Sequence, residues 1–143
     1  MGLSDVLRIL VRWVHISSVV GLIGGFIYAR FAVWPALDTL GTAESNTLVE
    51  SMVSRFRSTL YLLLLTTLGS GLYNYLTKAS YPPHYHMLIG IKFLFVLHLF
   101  AVTVLYTVPN AGLAKRRRWL TGMAISGLIV IAISAGLRWM SSR

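Results

Sequence analysis

The chain of 143 residues has no cysteine and only four carboxylate side chains, Asp5, Asp38, Glu44 and Glu50. Without cysteine there are no disulfides, thiolate metal sites, iron–sulfur clusters or thioether-linked haem, so any cofactor must be held by His, Met or oxygen ligands. No Ser/His/Asp set, phosphate-cradling Gly loop or membrane-embedded carboxylate pair appears, which argues against hydrolase and proton-pump chemistry. Charge is scarce overall: 12% of residues are charged and 56% hydrophobic, with mean hydropathy +0.71, where a soluble domain carries roughly a quarter charged residues. An ordinary soluble enzyme does not fit. The excess of 13 Lys+Arg gives a net charge of +9, a value that in a soluble chain would suggest nucleic acid. Here it points to membrane topology and anionic headgroups, with the lipid bilayer as the partner and no nucleic acid.

The apolar residues fall into four blocks of the length needed to cross ~30 Å of hydrocarbon: 7–34, 56–76, 87–108 and 119–140. They predict an all-α integral membrane four-helix bundle, one transmembrane domain over 1–143. Arg8 and Arg12 sit close to the start of the first block and no small-residue cleavage site follows it, so it is expected to stay in the mature protein. The first connection, 38–55, is polar, follows Trp34-Pro35 and has room for a short interfacial helix over Thr47 to Ser54. The second, Lys78 to His86, contains Pro82-Pro83, which stops any preceding helix. The third carries Lys115-Arg116-Arg117-Arg118, and the positive-inside rule makes it cytoplasmic and both termini outside, in a bacterial inner membrane. Small residues recur within the blocks, among them Gly21, Gly24, Gly25, Gly69, Ser70, Gly71, Gly122, Ser126, Gly127 and Gly136. They serve close helix packing, or clear room for a flat cofactor.

Ionisable side chains inside a span are costly and therefore functional candidates, and three occur: His15, Lys92 and His98. With the first and third spans running the same way, the two histidines differ in depth by only ~5 Å, at 1.5 Å per residue. Paired imidazoles at matched depth suit the axial ligation of a haem b iron; the competing reading is two hydrogen-bonded packing residues. Arg8 and Arg12 share the His15 face, two turns and one turn toward the membrane surface, where they would meet haem propionates or simply snorkel to headgroups. Lys92 lies about 120° round the helix from His98; it would reach a propionate or an anionic substrate from the side, or snorkel outward. A second constellation, His84-Tyr85-His86-Met87, offers two imidazoles and a thioether to copper or to a second haem.

These features resemble a known group. Arg12-Trp13-Val14-His15, the Gly-rich stretch Gly21-Leu22-Ile23-Gly24-Gly25-Phe26, Arg30-Phe31-Ala32-Val33-Trp34-Pro35, and Ile91-Lys92 followed by His98 resemble the small membrane proteins related to the copper-resistance D family and to HemJ-type protoporphyrinogen oxidases. The HemJ-type resemblance implies haem b and oxidation of a porphyrinogen, with His15, Lys92 and His98 at the positions of the family's His, Lys and His. The copper-resistance resemblance implies copper movement across the inner membrane.

The sequence thus predicts first a bis-His cytochrome b-like protein with His15 and His98 on the iron. It would act in electron transfer, or as an oxidoreductase on a small reduced substrate such as quinol or porphyrinogen, with a quinone or redox protein as partner. The alternatives are a copper transporter with His84, His86 and Met87 as its outer uptake site, and an accessory subunit, a homo-oligomer or part of a larger membrane complex, whose histidines are structural.

Overall fold

The computed structural model describes residues 2–77 and 82–140. It is an all-α bundle whose helices form four antiparallel rods. The first rod comprises α1 (Leu3–Tyr28), a single π-helical turn (Ala29–Val33) and α2 (Trp34–Leu37). The others are α3 (Thr42–Leu76), α4 (Pro83–Tyr106) and α5 (Leu113–Met140). Leu3–Leu37, Pro83–Tyr106 and Leu113–Met140 are each long and apolar enough to cross a membrane. The fourth rod, α3, is diluted by polar residues but completes the bundle, and the chain is a multi-pass membrane protein.

Local chemistry explains the breaks. Pro35 has no N–H to return to the Phe31 carbonyl, and the backbone absorbs the missing bond by widening to π geometry just before it rather than by ending the rod. The helix therefore runs on to Leu37, past the sequence-based boundary at Trp34. A tight turn over 38–41 follows, and Ser45 donates its hydroxyl to the Leu37 carbonyl across it at 2.9 Å. The polar stretch predicted as a connection is instead the first part of α3, with no separate helix over Thr47 to Ser54. Ser45, Val49 and Val53 make a buried i, i+4, i+8 stripe that packs this extension on the bundle. At 1.5 Å per residue, 35 residues make α3 about 50 Å long, well beyond the hydrocarbon thickness. The second connection is only partly visible, because Lys78 to Tyr81 lie outside the described residues. Pro82 is extended at the N-cap and Pro83 starts α4, the position where a missing N–H costs nothing.

In the packing, α1 lies against α3, α4 against α5, and an α1–α5 contact joins the two pairs. At that contact a Cβ on Gly127 would come within 2.9 Å of the Ile23 side chain, so the glycine sets the helix separation. The main core cluster occupies one half of the molecule, with Leu137 buried apart from it near the other end. Leu22, Phe26, Trp34, Val53, Leu64, Leu99, Leu120 and Met123 all lie toward the end that holds the 38–41 and 107–112 turns.

That end is closed by a polar cap. Arg116, 1% exposed, is the largest fully buried side chain. Its guanidinium donates to the carbonyls of Tyr106 at 3.1 Å and Val108 at 2.7 Å, and to Glu50 Oε1 at 2.6 Å. Arg57 donates to the Thr107 carbonyl at 2.9 Å, and Arg30 to the Thr121 hydroxyl at 2.7 Å. The carbonyls at the C-terminal end of α4, which no longer have helical partners, are thus tied to α3 and α5.

Candidate functional site

The opposite half, holding Gly2 and Met140, is looser and contains a cavity of about 320 Å³ between all four rods. Its walls are mostly apolar: Ile16, Val19 and Val20 from α1, Leu68 and Leu72 from α3, Ile89, Phe93 and Val96 from α4, Val130 and Ile131 from α5. The size is at the lower end of small-ligand and cofactor sites. Two polar groups with unspent bonding capacity face this apolar space: His15 and Lys92.

His15 is half-buried and oriented from behind. Its Nδ1 lies 2.8 Å from the Ser70 hydroxyl oxygen. The Ser70 hydroxyl in turn donates to the Thr66 carbonyl in a short bond, so Ser70 Oγ is left to accept from Nδ1–H. This arrangement fixes the tautomer and puts the lone pair on Nε2, which has no hydrogen-bond partner among the described residues. An imidazole held at one nitrogen and free at the other is how proteins present histidine to a metal. Gly71 makes room for it, since a Cβ there would meet His15 Cε1 at 3.1 Å.

Lys92 makes no ion pair among the described residues: both salt bridges, Arg116–Glu50 and Arg117–Asp38, lie at the far end of the bundle. Among the described residues, no carboxylate lines the cavity. Thr67 Oγ1 is buried with no hydrogen-bond partner and has no surface open to the cavity, an expensive state. The site therefore combines a half-buried imidazole with a free ring nitrogen and an unpaired ammonium inside an apolar slot.

The structure brings His15 and Lys92 to one cavity but leaves His98 out of it. Ile89, Lys92, Phe93 and Val96 mark the cavity face of α4, and at about 100° per residue His98 is roughly half a turn away. It is exposed on the outer face of α4, where its Nδ1 lies 3.0 Å from Ser126 Oγ on α5. The expected sharing of one iron by His15 and His98 is not formed within this chain. Arg8 and Arg12 are exposed on α1, two turns and one turn from His15 toward the open end, as the sequence places them. His84, His86 and Met87 belong to the first turns of α4 rather than to a loop. Residues two apart on a helix point about 200° apart, so His84 and His86 diverge and do not chelate one ion together. Among the described residues, no group of three or more His, Cys, Asp or Glu side chains converges on a metal position.

The sequence reading treats Ser70 and Ser126 only as small packing residues and does not single out Thr67. It also misses the burial of Arg116, although a signal was present. Arg116 lies in phase with Leu120, Met123 and Gly127, all buried on the inner face of α5, whereas Lys115, Arg117 and Arg118 are exposed. No protein-family profile, curated protein or solved structure matches this chain.

Proposed function

We propose that this chain is a haem b-binding membrane protein that holds the haem in the cavity at the open end, with His15 Nε2 toward the iron. One observation carries the reading: a lone-pair nitrogen with a fixed tautomer and an unpaired ammonium line one apolar cavity to which no described residue contributes a carboxylate. Lys92 offers a cation to a propionate, and Arg8 and Arg12 extend the positive field toward the wet end of the bundle. The bound group would supply one-electron exchange, in electron transfer or in oxidation of a small reduced substrate such as quinol or porphyrinogen. The chain's own residues orient the imidazole, neutralise carboxylates and keep water from the apolar walls. Of the three positions that resemble HemJ-type proteins, His15 and Lys92 line the cavity and His98 does not. The copper alternative loses support from the divergence of His84 and His86 on α4.

In this reading the Arg116 end faces the cytoplasm of a bacterial inner membrane, because Arg30, Arg55, Arg57 and Lys115 to Arg118 gather there. A reporter fused to the C-terminus is then active only outside the cytoplasm. The test of the cavity is haem titration of the detergent-purified protein, read by pyridine haemochrome. Wild type is expected to saturate at one haem per chain, His15→Ala to lose it, and Lys92→Met to bind more weakly. Wild type that takes up no haem, or His15→Ala that binds as wild type, overturns the reading.

A further inference from the structure

His98 occupies a costly position: an imidazole exposed on the outer face of a helix that crosses the bilayer, where lipid offers it no hydrogen bond. Its surroundings are ordered. His84, Met87, Ile91, Leu94, His98, Ala101 and Leu105 are all exposed and follow one another at alternating intervals of three and four, the seam spacing of paired helices. From His84 to Leu105 the stripe runs about 32 Å at 1.5 Å per residue, the full hydrocarbon thickness. No described helix of this chain covers it. The only polar residue in its middle is His98, where a single polar seam residue sets register in coiled coils and imidazoles bond between membrane helices.

The bonding capacity of His98 is self-complementary, and that identifies the occupant. The Ser126 hydroxyl makes no other hydrogen bond among the described residues, so it either accepts from Nδ1–H or donates to Nδ1. His98 is free to present Nε2 as acceptor in the first case and Nε2–H as donor in the second. His15 lacks this freedom, because the Ser70 hydroxyl is committed to the Thr66 carbonyl. Two copies of this chain packed side by side through α4 would bring their His98 side chains to one depth, with one Nε2–H donating to the other Nε2. From this juxtaposition we infer that the protein pairs with a second copy of itself through parallel α4 helices, and that the two His98 imidazoles at the two-fold axis bond across it. The inference is independent of what fills the cavity.

The absence of native cysteine makes the test clean. Single Leu94→Cys and Ala101→Cys substitutions on the stripe, with Leu62→Cys on the exposed face of α3 as control, are oxidised in vesicles at decreasing protein-to-lipid ratio. The expected result is a covalent dimer from Leu94→Cys and Ala101→Cys that persists on dilution, and none from Leu62→Cys. In the Leu94→Cys background, adding His98→Leu should weaken association about tenfold, equivalent to ~1.4 kcal/mol, while His98→Gln, which keeps a donor and an acceptor, retains it. Stripe cysteines that cross-link no better than Leu62→Cys, or cross-linking that falls away on dilution, overturn the proposal and leave the stripe as a lipid-facing surface. Equal association of His98→Leu and wild type removes the imidazole pair from it. Haem content of the same samples reports separately on the cavity.

Discussion

At the scale of single residues, the two histidines differ in what their serines are free to do. The Ser70 hydroxyl is spent on the Thr66 carbonyl and locks His15 into one tautomer, whereas the Ser126 hydroxyl bonds to His98 alone among the described residues, can donate or accept there, and leaves His98 adaptable. Replacing Ser70 by alanine removes the group that aims the ring without touching the cavity wall. Haem affinity should fall about 10- to 100-fold, the usual consequence of losing a partner behind a metal-binding histidine, with helix content by circular dichroism unchanged. Undiminished affinity in Ser70→Ala would show that the ring is oriented by something else. Gly71→Ala tests the same geometry by crowding, since the added Cβ would meet His15 Cε1 at 3.1 Å. It should weaken haem binding in titration while leaving the thermal transition close to wild type. His15 and Lys92 stood out in the sequence because ionisable groups inside apolar blocks are rare. The serine behind His15 did not, because Ser70 looks like any small residue of a membrane helix until the α1–α3 contact forms.

At the scale of elements, the end cap turns on Arg116 and the helix spacing on Gly127. Arg116 holds two carbonyls beyond its own helix as well as Glu50, whose side chain is 35% exposed. Arg116→Met should destabilise the protein by about 3 kcal/mol, since it takes the donors from the Tyr106 and Val108 carbonyls and the ion pair from Glu50. Arg117→Ala should change stability by less than about 1 kcal/mol, because its pair with Asp38 is 3.4 Å long and open to water. Thermal unfolding of both variants in detergent checks the contrast, and equal effects would contradict the assignment of the cap. At the α1–α5 contact, Gly127→Ala drives a Cβ to 2.9 Å from Ile23 and should cost about 1–3 kcal/mol, with Ile23→Ala in the same chain recovering much of the loss. Failure of Ile23→Ala to rescue would place the strain elsewhere. Apolar length alone marked the spans well. It marked α3 poorly, because a helix that leaves the bilayer is stabilised by the Ser45, Val49 and Val53 stripe rather than by hydropathy, and Pro35 reads as a stop unless the π turn is known.

At the scale of the whole molecule, the bundle divides into a packed, capped half and a splayed half with a cavity. Leu64, Met123 and Arg116 close the first, while His15, held from behind by Ser70, and Lys92, without an ion pair among the described residues, line the second. A fold that secures one end so thoroughly can tolerate polar groups held open at the other, and that division underlies the proposed cofactor site. The all-α membrane bundle followed from composition. The separation of His15 from His98 did not, since matched depth says nothing about the direction a side chain faces; only the residues that share the cavity face of α4 reveal that His98 looks the other way. The most direct measurement is the reduced-minus-oxidised optical spectrum of wild type, His15→Ala and His98→Gln, each purified with adequate haem supply. A b-type spectrum in wild type and His98→Gln, absent in His15→Ala, is the predicted result. A colourless wild type, or a spectrum lost equally in both variants, would contradict a haem held by His15 alone in this chain.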